Sequence, residues 1–332
     1  MTQTVVLMIG NVTSWGGHPY VYNKTSREYD TNTSYRSCDT GTSGSPSLDG
    51  PLAIESADGL TWRAAGVGSG GSQEEFCRFG VCTNYSAVSS QLKAHGVPST
   101  CLAVTDNSGL ALPPSAAAPH GRLLFTMSDE HEGSDDKTDG GDVIVFTDGP
   151  SFSTWQFSAA LHQRGSSEGA VAMLRNGSVF SVMRHCTIDT NSTLKQCINV
   201  EETRKGQHDG IDPNFRLAFA VSNSAGVSWG RMQIHPDLVT PMCQADLVNT
   251  AAGTLLVSTP YSEKGRHNMS VLASDDDGVT FSRQLRVWTG DCAYSAVVCG
   301  LPAPNDCGVM FDRYFEGDFA HVSFARFPST GW

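Results

Sequence analysis

An eight-residue pattern that recurs along the chain restricts its fold more than any other feature. Residues 274–281 read S-D-D-D-G-V-T-F and fit S-x-D-x-G-x-T-(W/F) at every fixed position. Residues 222–229 fit it with serines for the Asp and the Thr, residues 55–62 keep the Gly, Thr and Trp, and a degenerate copy spans residues 147–155. Each copy follows a hydrophobic run. The pattern therefore predicts a hairpin turn whose Asp or Ser bonds turn amides, whose Gly has a positive φ and whose aromatic ring packs on the sheet.

Short hydrophobic runs bounded by Gly, Pro, Asn and Asp recur throughout the chain and predict an all-β protein. These runs are Val5–Ile9, Leu52–Ile54, Leu123–Thr126, Val143–Phe146, Val179–Met183, Leu217–Val221, Thr254–Ser258, Ser270–Ala273 and His321–Phe324. No break in composition marks a linker, so we expect a single domain over residues 1–332. A turn that recurs once per group of strands is typical of a β-propeller.

Composition and charge exclude several classes of function. Hydrophobic residues make up 39% of the chain, which is enough for a sizeable core, and the 34 glycines agree with many turns. The net charge is −12 and no Lys/Arg run occurs, which excludes a nucleic-acid-binding protein to first order. No apolar run reaches the roughly 18 residues that a transmembrane helix needs, so no membrane-spanning segment is expected.

The cysteines and the glycosylation sequons indicate the compartment. Ten cysteines form no C-x-x-C pair, and seven Asn-x-Ser/Thr sequons begin at Asn11, Asn23, Asn32, Asn84, Asn176, Asn191 and Asn268. We therefore expect a secreted, lumenal or cell-surface chain with several disulfides, in preference to a Ser/Thr-rich chain with reduced thiols. Residues 1–10 lack the charged flank and cleavage site of a signal peptide, so we expect the true N-terminus to have been trimmed or lost.

The octet resembles the Asp-box, or bacterial neuraminidase repeat, and the chain resembles the sialidases. The resemblance covers roughly residues 30–327 and is most specific from 167 to 312. It implies an all-β fold, a six-bladed β-propeller. No R-I-P motif precedes Val5–Ile9, so the first strand of the first blade is expected to be incomplete. Asp-boxes are structural and occur in unrelated propellers, so the catalytic interpretation depends on other residues.

The segment 167–184 resembles the sialidase hairpin that begins with a catalytic glutamate and ends with an arginine. Glu168, the Asn176-Gly177 turn and Arg184 occupy those places. The resemblance implies that Glu168 is the base of the reaction and that Arg184 binds the substrate carboxylate. Taken alone, the segment is also consistent with an exposed hairpin that carries ordinary rim charges.

Three further motifs follow in the order found in sialidases. Arg266 lies on the loop before the best Asp-box and matches a carboxylate-binding arginine. Tyr294, in D-C-A-Y-S, resembles the tyrosine nucleophile, and Asp312, in G-V-M-F-D, stands where the family has a Glu that steadies the arginines. Each residue alone is consistent with a structural role, and the succession of motifs favours the catalytic interpretation.

The N-terminal third resembles the family least. Residues 35–41 resemble the loop that carries the acid/base aspartate, which implies Asp39 as acid/base and Arg36 as a pocket residue. Asp49 is the alternative acid/base, although it stands where the family has a non-catalytic Asp. Arg27 is a candidate replacement for the missing R-I-P arginine.

These residue types suit the chemistry of sialic acid, which carries a carboxylate on its anomeric carbon. Arginines bind such a carboxylate in a bidentate manner. A carboxylate nucleophile would be repelled by it, whereas a neutral tyrosine that gives its proton to a nearby Glu would not. An aspartic acid can then protonate the leaving oxygen and later activate water.

The resemblance implies an exo-sialidase that acts on sialylated glycans and needs no cofactor or metal. Hydrolysis or transfer of a related nonulosonic acid and a non-catalytic, lectin-like glycan-binding propeller are the alternatives. The acidic run between Asp129 and Asp142 could in principle hold Ca²⁺, but the EF-hand spacing is absent and a solvated acidic loop is the preferred interpretation.

Overall fold

The fold of the chain is all-β in every part that the structure, a computed structural model, describes. Twenty-one strands and no α-helix occur among the described residues. Those residues are 5–9, 21–23, 28–30, 52–56, 63–64, 102–104, 109–129, 142–148, 156–158, 165–186, 215–301, 303–315 and 318–332, with side chains described in 109–127, 144–148, 156–158, 165–186, 215–301, 303–313 and 321–332. The all-β prediction is confirmed for these segments, and the N-terminal strands are described by backbone alone.

The strands form five antiparallel sheets and one small hairpin. Sheet 1 contains β1 (Val5–Ile9), β4 (Leu52–Ser56) and β5 (Arg63–Ala64), and the hairpin contains β2 (Val21–Asn23) and β3 (Glu28–Asp30). Sheet 2 contains β6 (Leu102–Val104), β7 (Leu110–Leu112), β8 (Arg122–Asp129), β9 (Asp142–Thr147) and β10 (Gln156–Ser158). Sheet 3 contains β11 (Ser166–Met173), β12 (Val179–His185), β13 (Arg216–Ser222) and β14 (Gln233–Val239). Sheet 4 contains β15 (Asp246–Asn249), β16 (Leu255–Pro260), β17 (Met269–Ser274) and β18 (Arg283–Arg286), and sheet 5 contains β19 (Cys292–Cys299), β20 (Asp306–Phe315) and β21 (Asp318–Pro328).

Sheets 2 to 5 pack on one another in chain order, and the middle strands of sheets 3 and 4 are covered on both faces. In β16, Val257 lies in the core shared with sheet 3, whereas its neighbour Leu256 lies in the core shared with sheet 5. In β12, Phe180 faces sheet 4 and Val179 faces sheet 2 in the same way. Since successive side chains of a strand point to opposite faces, a strand covered on both sides must be apolar throughout. This explains why the runs in the sequence are continuous instead of alternating.

The two described octets form the predicted turns. Asp276 accepts hydrogen bonds from the backbone N–H of Thr280 at 2.9 Å and from its hydroxyl at 2.7 Å. Ser224, which replaces the Asp in the other octet, accepts the corresponding backbone N–H of Ser228 at 2.8 Å. Gly278 has a φ of 83°, and a Cβ there would lie 2.7 Å from the Phe180 ring of sheet 3. Only glycine can satisfy both demands.

Both turns lie at the end of the sheets opposite the catalytic candidates. One turn follows β13 and the other follows β17, whereas Glu168 is at the start of β11 and Arg184 is near the end of β12. Because β11 to β14 run antiparallel, the end of β13 is distant from both residues. Residues 57–62 and 149–155, which belong to the other two octets, lie outside the described residues.

Among the described residues, three cysteines are in disulfides and two are free. Cys299 and Cys307 face each other across β19 and β20 and form a disulfide. Cys186 is also disulfide-bonded, and Cys243 and Cys292 are free and buried. Within the described segments, no helix is long and apolar enough to span a membrane.

Candidate active site

Glu168 lies in a β-bulge at the start of sheet 3. The pairing register between β11 and β12 shifts between Ser167 and Ala170, so Glu168 and Gly169 together stand opposite one residue of β12. Glu168 has a φ of 52°, an uncommon value for a residue with a side chain. Bulges of this kind redirect a side chain out of the regular alternation of a strand. The bulge therefore determines the direction of the Glu168 carboxylate.

Tyr294 lies in a second bulge, in sheet 5. The register between β19 and β20 shifts between Cys292 and Ser295, which leaves Ala293 and Tyr294 opposite Asp312. Both strands that carry a catalytic candidate, β11 and β19, are the first strands of their sheets and stand at the sheet edge. A β-bulge in an edge strand thus positions both the Glu168 and the Tyr294 side chain.

The two bulges bring Tyr294 and Glu168 into direct contact. The Tyr294 hydroxyl donates a hydrogen bond to Glu168 Oε1 at 2.5 Å, although the residues are 126 positions apart in the sequence. Arg184 Nη1 donates to the other oxygen, Glu168 Oε2, at 2.9 Å. The Glu168 side chain is only 17% exposed. The carboxylate is therefore shared between a phenol and a guanidinium in a partly dehydrated environment.

Arg266 also borders Tyr294. It comes from the loop between β16 and β17 of sheet 4. Its guanidinium carbon is 5.5 Å from the centroid of the Tyr294 ring, a cation–π distance. The Arg266 carbonyl accepts the backbone N–H of Cys292 at 2.9 Å, which ties this loop to β19. Arg184 and Arg266 thus both border Tyr294, from different sheets.

The surroundings keep the Tyr294 phenol neutral. Burial raises the pKa of Tyr294, and the negative charge of Glu168 and the hydrogen bond to it raise this pKa further. Arg184 and Arg266 act in the opposite direction and lower it. The phenol consequently keeps its proton at neutral pH, and the arginines favour the charge that develops on its oxygen when Glu168 takes that proton.

Asp312 contacts the tyrosine backbone. Burial raises the pKa of Asp312, and a hydrogen bond from the Tyr294 backbone N–H opposes this rise. The resemblance to the sialidases implies that this carboxylate stabilises the arginines, and that role stays a prediction. The contact in the structure supports the bulge that carries Tyr294.

The N-terminal candidates lie outside the described residues. They are Asp39, Arg36, Asp49 and Arg27. Their assignments stay predictions from the sequence, and so does the interpretation of the acidic run between Asp129 and Asp142. In the part of the chain that the structure describes, no group of three or more His, Cys, Asp or Glu side chains could hold a metal ion.

Three residues near the site had no signal in the sequence. Burial raises the pKa of the Cys243 thiol to about 11, and the charges of Arg266, Glu168 and Arg184 also act on it, which places Cys243 close to the site. Its neighbour Gln244 is fully buried, and Thr126 of sheet 2 is almost fully buried. Both bond the backbone of a residue that directly follows Tyr294 or Glu168, and only the spatial order of the strands reveals this.

No protein-family model and no curated protein matches the sequence. Solved structures do match in fold. The Hadza microbial sialidase Hz136 has a TM-score of 0.58 at 18% identity, over 98% of this chain and 50% of that one. The leech intramolecular trans-sialidase has a TM-score of 0.56 at 14% identity, over 84% of this chain and 36% of that one.

A third similar structure is the intramolecular trans-sialidase from Ruminococcus gnavus. Its TM-score is 0.55 at 15% identity, over 84% of this chain and 50% of that one. The chain spans half or less of the length of these proteins. At such low identity the likeness concerns the fold and not the activity. The chain has a sialidase-like fold.

Proposed function

We propose that the chain is an exo-sialidase, a retaining glycoside hydrolase that releases terminal α-linked sialic acids from glycoconjugates. The observation that carries the proposal is the hydrogen bond between the Tyr294 hydroxyl and Glu168. Two arginines border this pair, one bonded to the carboxylate and one beside the phenol ring. A neutral phenol that can pass its proton to a carboxylate, next to two cations, suits attack on a sugar that carries its own carboxylate.

In this proposal the substrate is oriented by its carboxylate. Arg184 and Arg266 bind that group, and Arg36 is a further pocket residue. Arg184 has five N–H donors and uses one of them to bond Glu168 in this structure. It can therefore bond the Glu168 carboxylate and the substrate carboxylate at the same time. The guanidinium fork also fixes the angle of the substrate, which a lysine ammonium would not.

The reaction has two steps. The Tyr294 oxygen attacks the anomeric carbon while its proton passes to Glu168, and the bond to the leaving oxygen breaks as Asp39 protonates that oxygen. Asp39 then takes a proton from water, the water oxygen attacks the anomeric carbon, and the Tyr294 oxygen leaves and recovers its proton from Glu168. Two displacements at one carbon give net retention of configuration.

We also propose that the chain folds as a single six-bladed β-propeller domain over residues 1–332, with the first strand of the first blade incomplete. The successive packing of sheets 2 to 5 supports it, because neighbouring blades of a propeller share cores in this way. The sialidase-like fold supports it as well.

The proposed substrates are sialylated glycans, which occur on secreted and cell-surface molecules, and we propose that the chain works in a secreted, lumenal or cell-surface setting. The Cys299–Cys307 disulfide supports an oxidising compartment.

Transfer of the sugar to another group is a variant of the same chemistry. Two of the similar structures are named intramolecular trans-sialidases, which favours keeping this variant in the test.

A fluorogenic sialoside assay on the purified chain tests the proposal. We expect release of the fluorophore together with free sialic acid, the latter quantified by chromatography. Fluorophore release with an anhydro or transferred sugar as the product would indicate the transferase variant. Binding of sialic acid in calorimetry without any release would instead establish a glycan-binding protein and contradict the enzymatic proposal.

A further inference from the structure

Two buried polar side chains contact the backbone at or directly beside the bulges that carry Glu168 and Tyr294. Gln244 lies in the segment between β14 and β15, two residues before sheet 4 begins, and contacts sheet 5. Thr126, in β8, belongs to sheet 2 and contacts sheet 3. The residue that is contacted follows the catalytic candidate in both cases, as Ser295 follows Tyr294 and Gly169 follows Glu168.

The contact of Gln244 is a matched pair of hydrogen bonds. Its side-chain amide donates to the Ser295 carbonyl at 2.9 Å, and its side-chain carbonyl accepts the Ser295 backbone N–H, also at 2.9 Å. Gln244 is 0% exposed. The Ser295 hydroxyl also bonds Ser258 of β16 at 2.9 Å. Three hydrogen bonds, two from Gln244 and one from Ser258, thus hold the residue next to Tyr294.

The contact of Thr126 is the counterpart at the other bulge. The Thr126 hydroxyl donates to the Gly169 carbonyl, and Thr126 is 3% exposed. Gly169 is one of the two residues that the bulge places opposite a single residue of β12. The hydroxyl therefore bonds the bulge itself and not the regular part of the strand.

Edge strands explain why such contacts matter. Among the strands that the structure describes, β11 and β19 each pair with a single neighbour, so part of their backbone polar groups faces away from the sheet. In a buried place those groups need partners, and the partner also fixes the local backbone. A bulge has fewer ladder bonds than a regular strand and can take more than one geometry. A side chain that bonds the bulge selects one of these.

We propose that Gln244 and Thr126 are positioning residues that hold the two bulges so that the Tyr294 phenol and the Glu168 carboxylate meet. The inference rests on the proposed function for its catalytic consequence. Neither side chain touches the reacting atoms in this account. Their effect is on proton transfer between Tyr294 and Glu168, which depends steeply on the separation of the two oxygens.

The test compares Gln244→Met with Thr254→Val. Methionine has nearly the size of glutamine but makes neither hydrogen bond to Ser295. Thr254 is a matched control because it is 6% exposed and its hydroxyl donates to Asp275 of the octet turn at 2.7 Å, at the end of sheet 4 opposite the bulges. We expect kcat of Gln244→Met to fall about 10- to 100-fold, with the Kd for sialic acid within about three-fold of the parent value.

Thr254→Val should retain kcat within about two-fold, even if its melting temperature falls as far as that of Gln244→Met. Unchanged kcat in Gln244→Met, or equal losses in both variants, would overturn the inference. If Gln244→Met does not fold, Thr126→Val, which is isosteric, takes its place with the same expectation and the same contrary result.

A structural measurement separates this inference from the proposed function. In a crystal structure of the parent, the Tyr294 and Glu168 oxygens should lie within hydrogen-bond distance, and in Gln244→Met they should lie beyond about 3.5 Å. This result is independent of turnover, so it holds or fails even if the parent hydrolyses no sialoside. An unchanged separation in the variant contradicts the positioning role.

Discussion

In the proposed mechanism, Tyr294 combines two properties that a nucleophile needs beside a negatively charged substrate. Burial and the neighbouring Glu168 raise its pKa, so the phenol is neutral when the substrate arrives. The hydrogen bond to Glu168 Oε1 at 2.5 Å provides a path for the proton when the oxygen attacks. An isolated tyrosine at the surface would have the first property without the second.

Replacement of Tyr294 by Phe tests these properties directly. The ring remains, so packing should persist and the free energy of unfolding should fall by about 1 kcal/mol, the value of one hydrogen bond. Turnover should fall by about three orders of magnitude because no oxygen is left to attack. Fluorogenic kinetics and calorimetry with sialic acid measure both expectations. Near-parental turnover would show that Tyr294 is not the nucleophile.

Replacement of Arg266 by Ala should have the complementary effect. The guanidinium is a proposed ligand of the substrate carboxylate, so the Kd for sialic acid should rise by about 10-fold or more and kcat/KM should fall with it. Arg286→Ala is the matched control, since Arg286 is an exposed arginine of the same sheet. Equal affinity in the Arg266 and Arg286 variants would remove Arg266 from the proposed clamp.

The sequence identified the four residues that meet at this site but not how they meet. Glu168, Arg184, Arg266 and Tyr294 belong to recognisable local motifs, and the resemblance assigns their roles. The positive φ of Glu168 and the two register shifts arise from pairing with other strands. Local residue preferences contain no information about that pairing, which is also why the contacts of Gln244 remained hidden.

At the scale of the elements, the octet turn that follows β17 of sheet 4 contacts a histidine of sheet 3. His235 of β14 bonds the Gly278 carbonyl through Nε2 at 3.0 Å, and its Nδ1 accepts the Asp237 backbone N–H at 3.2 Å. Because Nδ1 accepts, Nε2 must carry the proton, so the ring is neutral. The ring also makes edge contacts with Phe219 and Phe281. Burial lowers the pKa of His235.

This histidine predicts a loss of stability in mild acid. A pKa that is lower in the folded than in the unfolded chain means that the unfolded state binds the proton more readily. The stability that His235 contributes is therefore complete above about pH 6.5 and falls as the pH drops below the unfolded pKa. Urea unfolding at pH 8 and pH 5 measures this fall. In His235→Gln the difference between the two pH values should be smaller, and an unchanged difference would assign it to other groups.

Strand positions were predictable because most runs are apolar on both faces. The run Val5–Ile9 coincides with β1, and the runs in β8, β12 and β16 lie within one residue of or inside the observed strands. β14 and β18 were not predicted, since they are only partly buried and contain polar or charged residues such as Asp237 and Arg283. Such outer strands are defined by the ladder they join more than by their own sequence.

At the scale of the whole molecule, the proposed six-bladed ring makes a prediction about size. A compact chain of 332 residues has a radius of gyration of about 20 Å. Small-angle X-ray scattering on the monomer should give a value close to this if the first and last sheets adjoin. A row of sheets that does not close would give a clearly larger radius, and that result would contradict the ring.

The central claim is that Tyr294 becomes covalently bonded to the sugar, and trapping that bond tests it most directly. A 3-fluorosialyl fluoride reacts in the first step, and its ring fluorine slows the second step by destabilising the positive charge of the transition state. Peptide mass spectrometry should then find the fluorosialyl group on Tyr294 in the parent and nowhere in Tyr294→Phe. A label on any other residue, in a parent that hydrolyses sialosides, would contradict the account.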